Sequence, residues 1–258
     1  QFDLSVGRIV SLCGVIYATL SLSMPLWAAV IGTLIAGMLL EFINAAFIRG
    51  IKLPGFVLTL ATSEIYRGIA HIMTEGRNIS GLSDPLIFIG QGLLFGVIPV
   101  AFIIALVLII LVAVMFNKTL YGRHIIATGG NGEAAKLSGI KTELIRVTSF
   151  MVAGLIFAAG SITLTGRVGF AAPLAGETYL MDCIAAVVIG GTSMHGGKAK
   201  VAGSLFGMGL IVVINNMLSL MGINTFWQWI AKGAIIILAI SLDALSERFM
   251  NKQKTKTA

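Results

Sequence analysis

Long apolar runs separated by short polar stretches are the dominant pattern of this sequence. The clearest run, Gly92 to Phe116, contains no charged residue. Because a helix needs about 20 apolar residues to cross the hydrocarbon core of a bilayer, each long run is a candidate membrane segment. The pattern predicts eight of them, at residues 5–22, 25–43, 53–72, 92–116, 147–164, 178–190, 201–220 and 226–243. We therefore expect an all-α fold, a polytopic bundle of transmembrane helices.

Three of these segments are short or are interrupted by glycine, proline or a charge, namely residues 5–22, 53–72 and 178–190. In transporters, broken or re-entrant helices often form the substrate path, because non-helical backbone at membrane depth must lie against protein or water. Each of the three segments alone is equally compatible with a tilted helix. Together they favour a path through the membrane.

Composition places the protein in the same class. Hydrophobic residues make up 57% of the 258 positions, charged residues only 11%, and the mean hydropathy is +0.97. Soluble domains, in contrast, carry about 25% charged residues. We expect one transmembrane domain over residues 1–245 and a basic cytoplasmic tail over residues 246–258.

Positive charge is distributed unevenly along the chain. If Tyr121–Glu143 is cytoplasmic and each segment crosses the membrane once, 13 of the 18 Lys and Arg residues lie inside, and only Arg77 and Arg167 lie outside. Cytoplasmic loops of membrane proteins carry this excess of Lys and Arg. The net charge of +7 is therefore explained by membrane orientation. We expect contact with membrane lipid and no binding of nucleic acid.

The glycine-rich stretch from Gly190 to Lys200, GGTSMHGGKAK, does not fit a phosphate-binding loop. Such a loop requires G-x-x-x-x-G-K-[ST], but here Thr192 stands at the first glycine position and Ala199 at the Ser/Thr position. We expect a tight cytoplasmic turn instead, since glycine permits sharp backbone angles. The three histidines are scattered along the chain, so no local pattern predicts a metal site or a catalytic group. The chain is expected not to be an enzyme.

Ionisable residues inside membrane segments are costly, so they suggest a function or a partner. Glu64 and Arg67 are spaced i, i+3 and are expected to pair across one helical turn. Asp182 is expected to pair with Arg167 or Lys232. Glu64, Arg67, Asp182 and Lys232 are therefore the candidate buried ion pairs.

Uncharged polar residues at membrane depth are the candidates for a translocation path. They either hydrogen-bond a hydroxylated solute or bond between helices, and the sequence leaves both possibilities open. Glu41 also stands out as a carboxyl group within an apolar segment. No chain of carboxylates and histidines suggests a proton relay, so the energy for transport is expected to come from elsewhere. The path candidates are Thr59, Thr62, Ser63, Asn215 and Asn216.

The polar stretch Tyr121–Glu143 separates two long apolar runs and contains the sequence NGEAAKLSG. This sequence predicts a short helix, with Asn131 as its cap, Glu133 near its positive end and Gly139 as its stop. A helix this short is marginal alone in water. We therefore expect it to dock against another protein at the cytoplasmic face.

At this point the sequence resembles a known family. The run GRHIIATGGNGEAAKLSGI is similar to the cytoplasmic coupling loop of ABC-importer permeases of the monosaccharide (ribose, xylose and galactose) type. The similarity extends from Asp3 to about Asp243. It is carried also by DLSVG, LPGFVLTLAT, TGRVG, YLMDCIAAVVIGGTSMHGG and INTFWQWIAKGAIIILAISLD.

The resemblance implies a multi-pass permease subunit in the bacterial plasma (inner) membrane that forms a homo- or heterodimer. It would receive a monosaccharide from a periplasmic or lipoprotein binding protein and be driven by a separate nucleotide-binding ATPase subunit. ATP and magnesium would be held by that subunit, and no cofactor by this chain. The family places one or more transmembrane segments before DLSVG, so we expect the N-terminus to be incomplete. Carried over by position, the coupling residues are Gly129, Gly130, Asn131, Glu133, Ala134, Ala135, Leu137, Ser138 and Gly139.

Two alternatives remain open at the level of sequence. A branched-chain amino acid permease of the ABC type would share the architecture and the partners but carry a zwitterion. An ion-gradient-driven secondary transporter would work without an ATPase.

Overall fold

The computed structural model describes residues 2–51, 53–193, 196–235, 237–238 and 241, and most of these residues are helical. The expected all-α, polytopic fold is confirmed. The predicted basic tail, residues 246–258, lies outside the described residues. The helices are α1 (Val6–Ser23), α2 (Leu26–Ile51), α3 (Gly55–Thr74), α4 (Asp84–Gln91), α5 (Val100–Lys118), α6 (Leu120–Gly130), α7 (Gly132–Leu137), α8 (Thr142–Val168), α9 (Tyr179–Ile189) and α10 (Val201–Leu220). Residues 225–235 form a further helical segment.

Five of the described helices are long and apolar enough to cross a membrane, namely α1, α2, α5, α8 and α10. Helix α5 has no buried residue in this chain. Helices α2 and α8 run several residues beyond the predicted segments, with 26 and 27 residues respectively. Of the three segments predicted as short or interrupted, only that at 178–190 is short, since α9 has 11 residues. The prediction was wrong for the other two, because α1 and α3 are uninterrupted helices of 18 and 20 residues.

The apolar run 92–116 is not one helix, so this prediction was wrong at its start. Strand β1 (Leu93–Leu94) pairs antiparallel with strand β2 (Ile98–Pro99), and α5 begins only at Val100. Phe95 and Gly96 form the turn with φ values of 54° and 73°. Positive φ at both central positions is typical of a type I′ β-turn, here closed by the Val97 amide, which donates to the Leu94 carbonyl at 3.2 Å. Because Leu94 pairs with Ile98, Val97 is a third residue of the loop. Pro99, which has no N–H and a fixed φ, ends the strand and starts the helix.

The described residues group into two compact units. The first consists of the chain up to Thr128 together with Glu133–Leu180, and the second of Gly129–Gly132 and the chain from Met181 onwards. A single domain over residues 1–245 therefore stays a prediction.

Helix α1 lies at the centre of the first unit and packs against α2, α3 and α8. Ile9, Leu12 and Tyr17 are fully buried on it. Helices α2 and α8 cross at Gly37 and Gly154, where a Cβ on Gly37 would lie 2.5 Å from the Gly154 carbonyl oxygen. Small residues of this kind allow membrane helices to pack backbone against backbone.

The second unit contains a similar crossing between α9 and α10. A Cβ on Gly203 would overlap the carbonyl oxygen of Gly190, and one on Gly207 would overlap that of Ala186. At these two positions the backbone of α9 and of the residue that follows it lies directly against the backbone of α10.

Candidate functional site

The polar stretch between α5 and α8 is more helical than the sequence suggested. Residues Leu120–Gly130 form α6, which the sequence did not predict. Gly122 permits the sharp corner after α5, because a Cβ there would overlap the Met115 carbonyl oxygen. The Tyr121 hydroxyl donates to Thr148 Oγ1 of α8 at 2.8 Å and anchors α6 to the first unit. Tertiary contacts thus offset the glycines that weaken this helix locally.

The short helix predicted near Gly139 is present as α7 (Gly132–Leu137). Its end is closed as expected, because Gly139 adopts a φ of 85°. The Ile140 amide donates to the Ala135 carbonyl at 3.0 Å, and the Gly139 amide donates to the Lys136 carbonyl at 3.0 Å. This is the Schellman pattern of a glycine-terminated helix.

Helix α7 presents an apolar side chain to its surroundings. Ala135 is buried, whereas Leu137 is 90% exposed. The side chains around Leu137 are also exposed, including Glu133, Lys136 and Ser138. An exposed leucine ringed by charged and polar groups has the character of a small docking surface.

A buried polar network lies where the chain enters α1. Asn44 of α2 is fully buried, and its amide nitrogen donates to Ser5 Oγ at 3.0 Å and to Glu41 Oε2 at 3.2 Å. The Asn44 oxygen accepts a bond of 3.0 Å from the Tyr66 hydroxyl of α3. One side chain thus joins the segment before α1 to two other helices.

The segment before α1 is fixed by further hydrogen bonds. The Ser5 amide and hydroxyl both donate to Asp3 Oδ1, at 2.8 and 2.6 Å. The Leu4 amide donates to Thr59 Oγ1 of α3 at 3.0 Å. Sequence reasoning singled out Glu41 and Thr59 but missed Ser5 and the other members of the network.

The predicted path residues fall into both units. In the first unit, Thr59, Thr62 and Ser63 are buried, and each hydroxyl donates to a carbonyl three or four residues earlier on α3. In the second unit, Asn215 is half-buried and Asn216 is exposed. Their role in translocation stays a prediction.

Asp182 and Lys232 form an ion pair in the second unit. Lys232 Nζ lies 2.7 Å from Asp182 Oδ1, and the two side chains are only 14% and 8% exposed. The pair connects α9 to the helical segment 225–235. Of the two partners considered for Asp182 from the sequence, the structure therefore supplies Lys232.

Glu64 and Arg67 also pair, but on the surface. Their charged atoms are 3.7 Å apart, and their side chains are 63% and 41% exposed. The expectation of a buried pair was wrong here, because both residues lie on the outward side of α3. The sequence missed a further pair, Arg8 with Glu177, at 3.0 Å.

Metal ligands are not clustered in the part of the chain that the structure describes. There, no group of three or more His, Cys, Asp or Glu residues is arranged to hold an ion. His195 lies outside the described residues, so nothing is concluded about it.

These features define a multi-pass membrane protein. Several of its helices are long and apolar enough to cross a bilayer, helices cross closely at glycines, and the short helix α7 is exposed. The chain matches, over residues 1–240, the family described as "Branched-chain amino acid transport system / permease component", and it belongs to that family. It is thus a transport component of the bacterial plasma membrane, and the family resemblance seen in the sequence is confirmed. A permease component works with other components of its transport system.

Individual relatives extend this finding. The ribose import permease protein of Bacillus subtilis is 40% identical over 245 residues, which cover 93% of this chain and 76% of the relative. The galactose/methyl galactoside import permease protein of Haemophilus influenzae is 35% identical, with coverage of 94% and 78%. The xylose transport system permease protein of Escherichia coli K12 is 32% identical, with coverage of 96% and 79%. No solved structure matches the chain significantly.

Proposed function

We propose that this chain is the permease subunit of an ABC importer and forms the translocation path for a monosaccharide. The observation that carries the proposal is its similarity, over more than nine-tenths of its length, to permeases named for ribose and galactose. The family description mentions branched-chain amino acids. The individual relatives, which match more than nine-tenths of this chain, are named for sugars. A sugar is therefore the better supported cargo.

The partners follow from the same proposal. An extracytoplasmic binding protein delivers the sugar, and a second permease copy completes the path. A separate ATPase subunit binds ATP and magnesium and supplies the energy. This chain contributes the membrane helices and the surface on which the ATPase acts.

Helix α7 and its flanks are proposed as that surface. Leu137 supports this role, because covering an exposed leucine with a partner removes apolar surface from water and so stabilises the complex. The Schellman end at Gly139 holds the helix in a defined orientation for docking. The proposed contact residues are those predicted from the sequence, Gly129, Gly130, Asn131, Glu133, Ala134, Ala135, Leu137, Ser138 and Gly139.

The function is tested by uptake into vesicles that contain the complete transport system. Labelled D-ribose, D-galactose and D-xylose are compared with L-leucine, with and without ATP inside the vesicles. We expect ATP-dependent uptake of at least one sugar. Uptake of leucine alone would show that the substrate is an amino acid and not a sugar. Uptake that follows a proton or sodium gradient without ATP would overturn the proposal.

The docking surface is tested by Leu137→Glu, with Leu137→Met as the matched control that keeps an apolar side chain. Burial of a leucine contributes about 1.5–3 kcal/mol, so its loss should weaken ATPase binding by about 10- to 150-fold. Affinity is measured by titrating the ATPase onto the permease in nanodiscs. Equal affinities of the two variants would contradict docking through Leu137.

A further inference from the structure

Two glycine pairs meet in the second unit, one at the end of α6 and one in the loop between α9 and α10. A Cβ on Gly196 would overlap the carbonyl oxygen of Gly129, and one on Gly197 would lie 2.9 Å from the Cα of Gly130. Real Cβ atoms essentially never come closer than 3.0 Å to another heavy atom. The two backbones are therefore in direct contact, and we call these four residues the glycine clasp.

The loop side of the clasp has a defined shape. Gly196 and Gly197 adopt φ values of 89° and 79°, which side-chain-bearing residues rarely reach. The Gly196 amide donates to the Ser193 carbonyl, and the Ser193 amide donates to the Lys198 carbonyl, both at 3.2 Å. The Lys200 amide donates to Thr192 Oγ1 at 3.2 Å and closes the loop where α10 begins.

The loop is continuous with the tight crossing of α9 and α10. It leaves α9 beside Gly190, whose carbonyl oxygen lies against Gly203 of α10. On the other side of the clasp, α7 begins at Gly132, two residues after Gly130. The start of α7 is therefore linked to α9 and α10 by the chain from Gly130 to Gly132, by the clasp and by the contact between Gly190 and Gly203.

We propose that the glycine clasp transmits displacement of α7 to the α9–α10 pair, which makes the described loop residues, 190–193 and 196–200, the receiving element of the coupling segment. This inference rests on the proposed docking of an ATPase at α7. Contacts between side chains can absorb a shift by changing rotamers. Backbone contacts without side chains have no such freedom, and close-packed atoms pass the shift on. The same glycines that fail to form a phosphate-binding loop thus acquire a mechanical role.

The test compares Gly196→Ala with Gly191→Ala in the assembled transporter. Both positions lie in the same loop with positive φ, 89° and 73°, so both variants carry similar backbone strain. Nothing lies within 4 Å of a Cβ on Gly191, whereas one on Gly196 meets the Gly129 backbone. The difference between the two variants therefore isolates the clasp.

Two readouts are recorded for each variant. We expect Gly196→Ala to lower the amount of sugar taken up per ATP hydrolysed by at least about fivefold relative to Gly191→Ala, the lower end of typical coupling effects. We also expect faster amide hydrogen exchange in α6 and in the loop for Gly196→Ala, but only local changes for Gly191→Ala. Gly130→Ala, with Gly209→Ala in the open part of α10 as its control, provides a milder pair should Gly196→Ala not assemble.

The outcomes are distinguishable. Equal exchange in α6 for both variants would show that the clasp does not form. Faster exchange in α6 with an unchanged ratio of uptake to ATP hydrolysis would show that the clasp forms but transmits nothing. Wild-type uptake that does not depend on ATP would overturn the proposed function and the transmission role with it, while the exchange experiment still reports on the contact.

Discussion

The buried ion pair between Asp182 and Lys232 yields the sharpest stability prediction. Lys232→Met leaves the Asp182 carboxylate 8% exposed and without its partner at 2.7 Å. Breaking a buried pair from one side costs about 3–5 kcal/mol, because an uncompensated charge stays buried. For a chain of 150–250 residues, each kcal/mol shifts the Tm by about 2–4 °C, so we expect a loss of about 6–20 °C.

The double variant Asp182→Asn with Lys232→Met separates the pair from the packing around it. It removes both charges, and replacing a buried pair by uncharged residues of similar volume is often nearly neutral. We expect the double variant to be more stable than Lys232→Met alone. Glu64→Gln is the surface control, since it breaks an exposed pair and should cost less than about 1 kcal/mol.

Thermal unfolding of each variant is followed in detergent by tryptophan fluorescence and by size-exclusion chromatography of the heated sample. A Tm for Lys232→Met that matches Glu64→Gln would show that the pair contributes little. A double variant no more stable than Lys232→Met alone would show that removing the Asp182 charge brings no relief, contrary to the reasoning.

The long helices and α7 were predictable because their signals are local. Apolar length alone indicates α1, α2, α8 and α10. The short helix α7 carries its stop signal at Gly139, two residues beyond its end. The start of α5 was missed because hydropathy does not distinguish an apolar hairpin from a helix. The Phe95-Gly96 turn and Pro99 held the missing information.

The buried polar network was not predictable, because its members are far apart in sequence. Asn44 meets Ser5 across 39 residues and Tyr66 across 22. No periodicity within one helix reports such a contact. The glycine clasp is similar, since both of its glycine pairs were visible as motifs but their contact depends on the tertiary fold. Charge, in contrast, was informative for Asp182, because a buried carboxylate requires a partner.

The remaining predictions concern a helix crossing and the polar network. Gly154→Ala places a Cβ against the α2 backbone and should lower the free energy of unfolding by about 1–3 kcal/mol. Gly160→Ala on the same helix meets nothing within 4 Å and should leave stability unchanged or raise it. Equal Tm values for the two variants would contradict the close crossing. Tyr66→Phe leaves a buried amide oxygen without its donor and should cost about 1–3 kcal/mol. Tyr17→Phe is the control, because among the described residues its buried hydroxyl has no hydrogen-bond partner. If the Tm of Tyr66→Phe were equal to or higher than that of Tyr17→Phe, the polar network would not stabilise the fold.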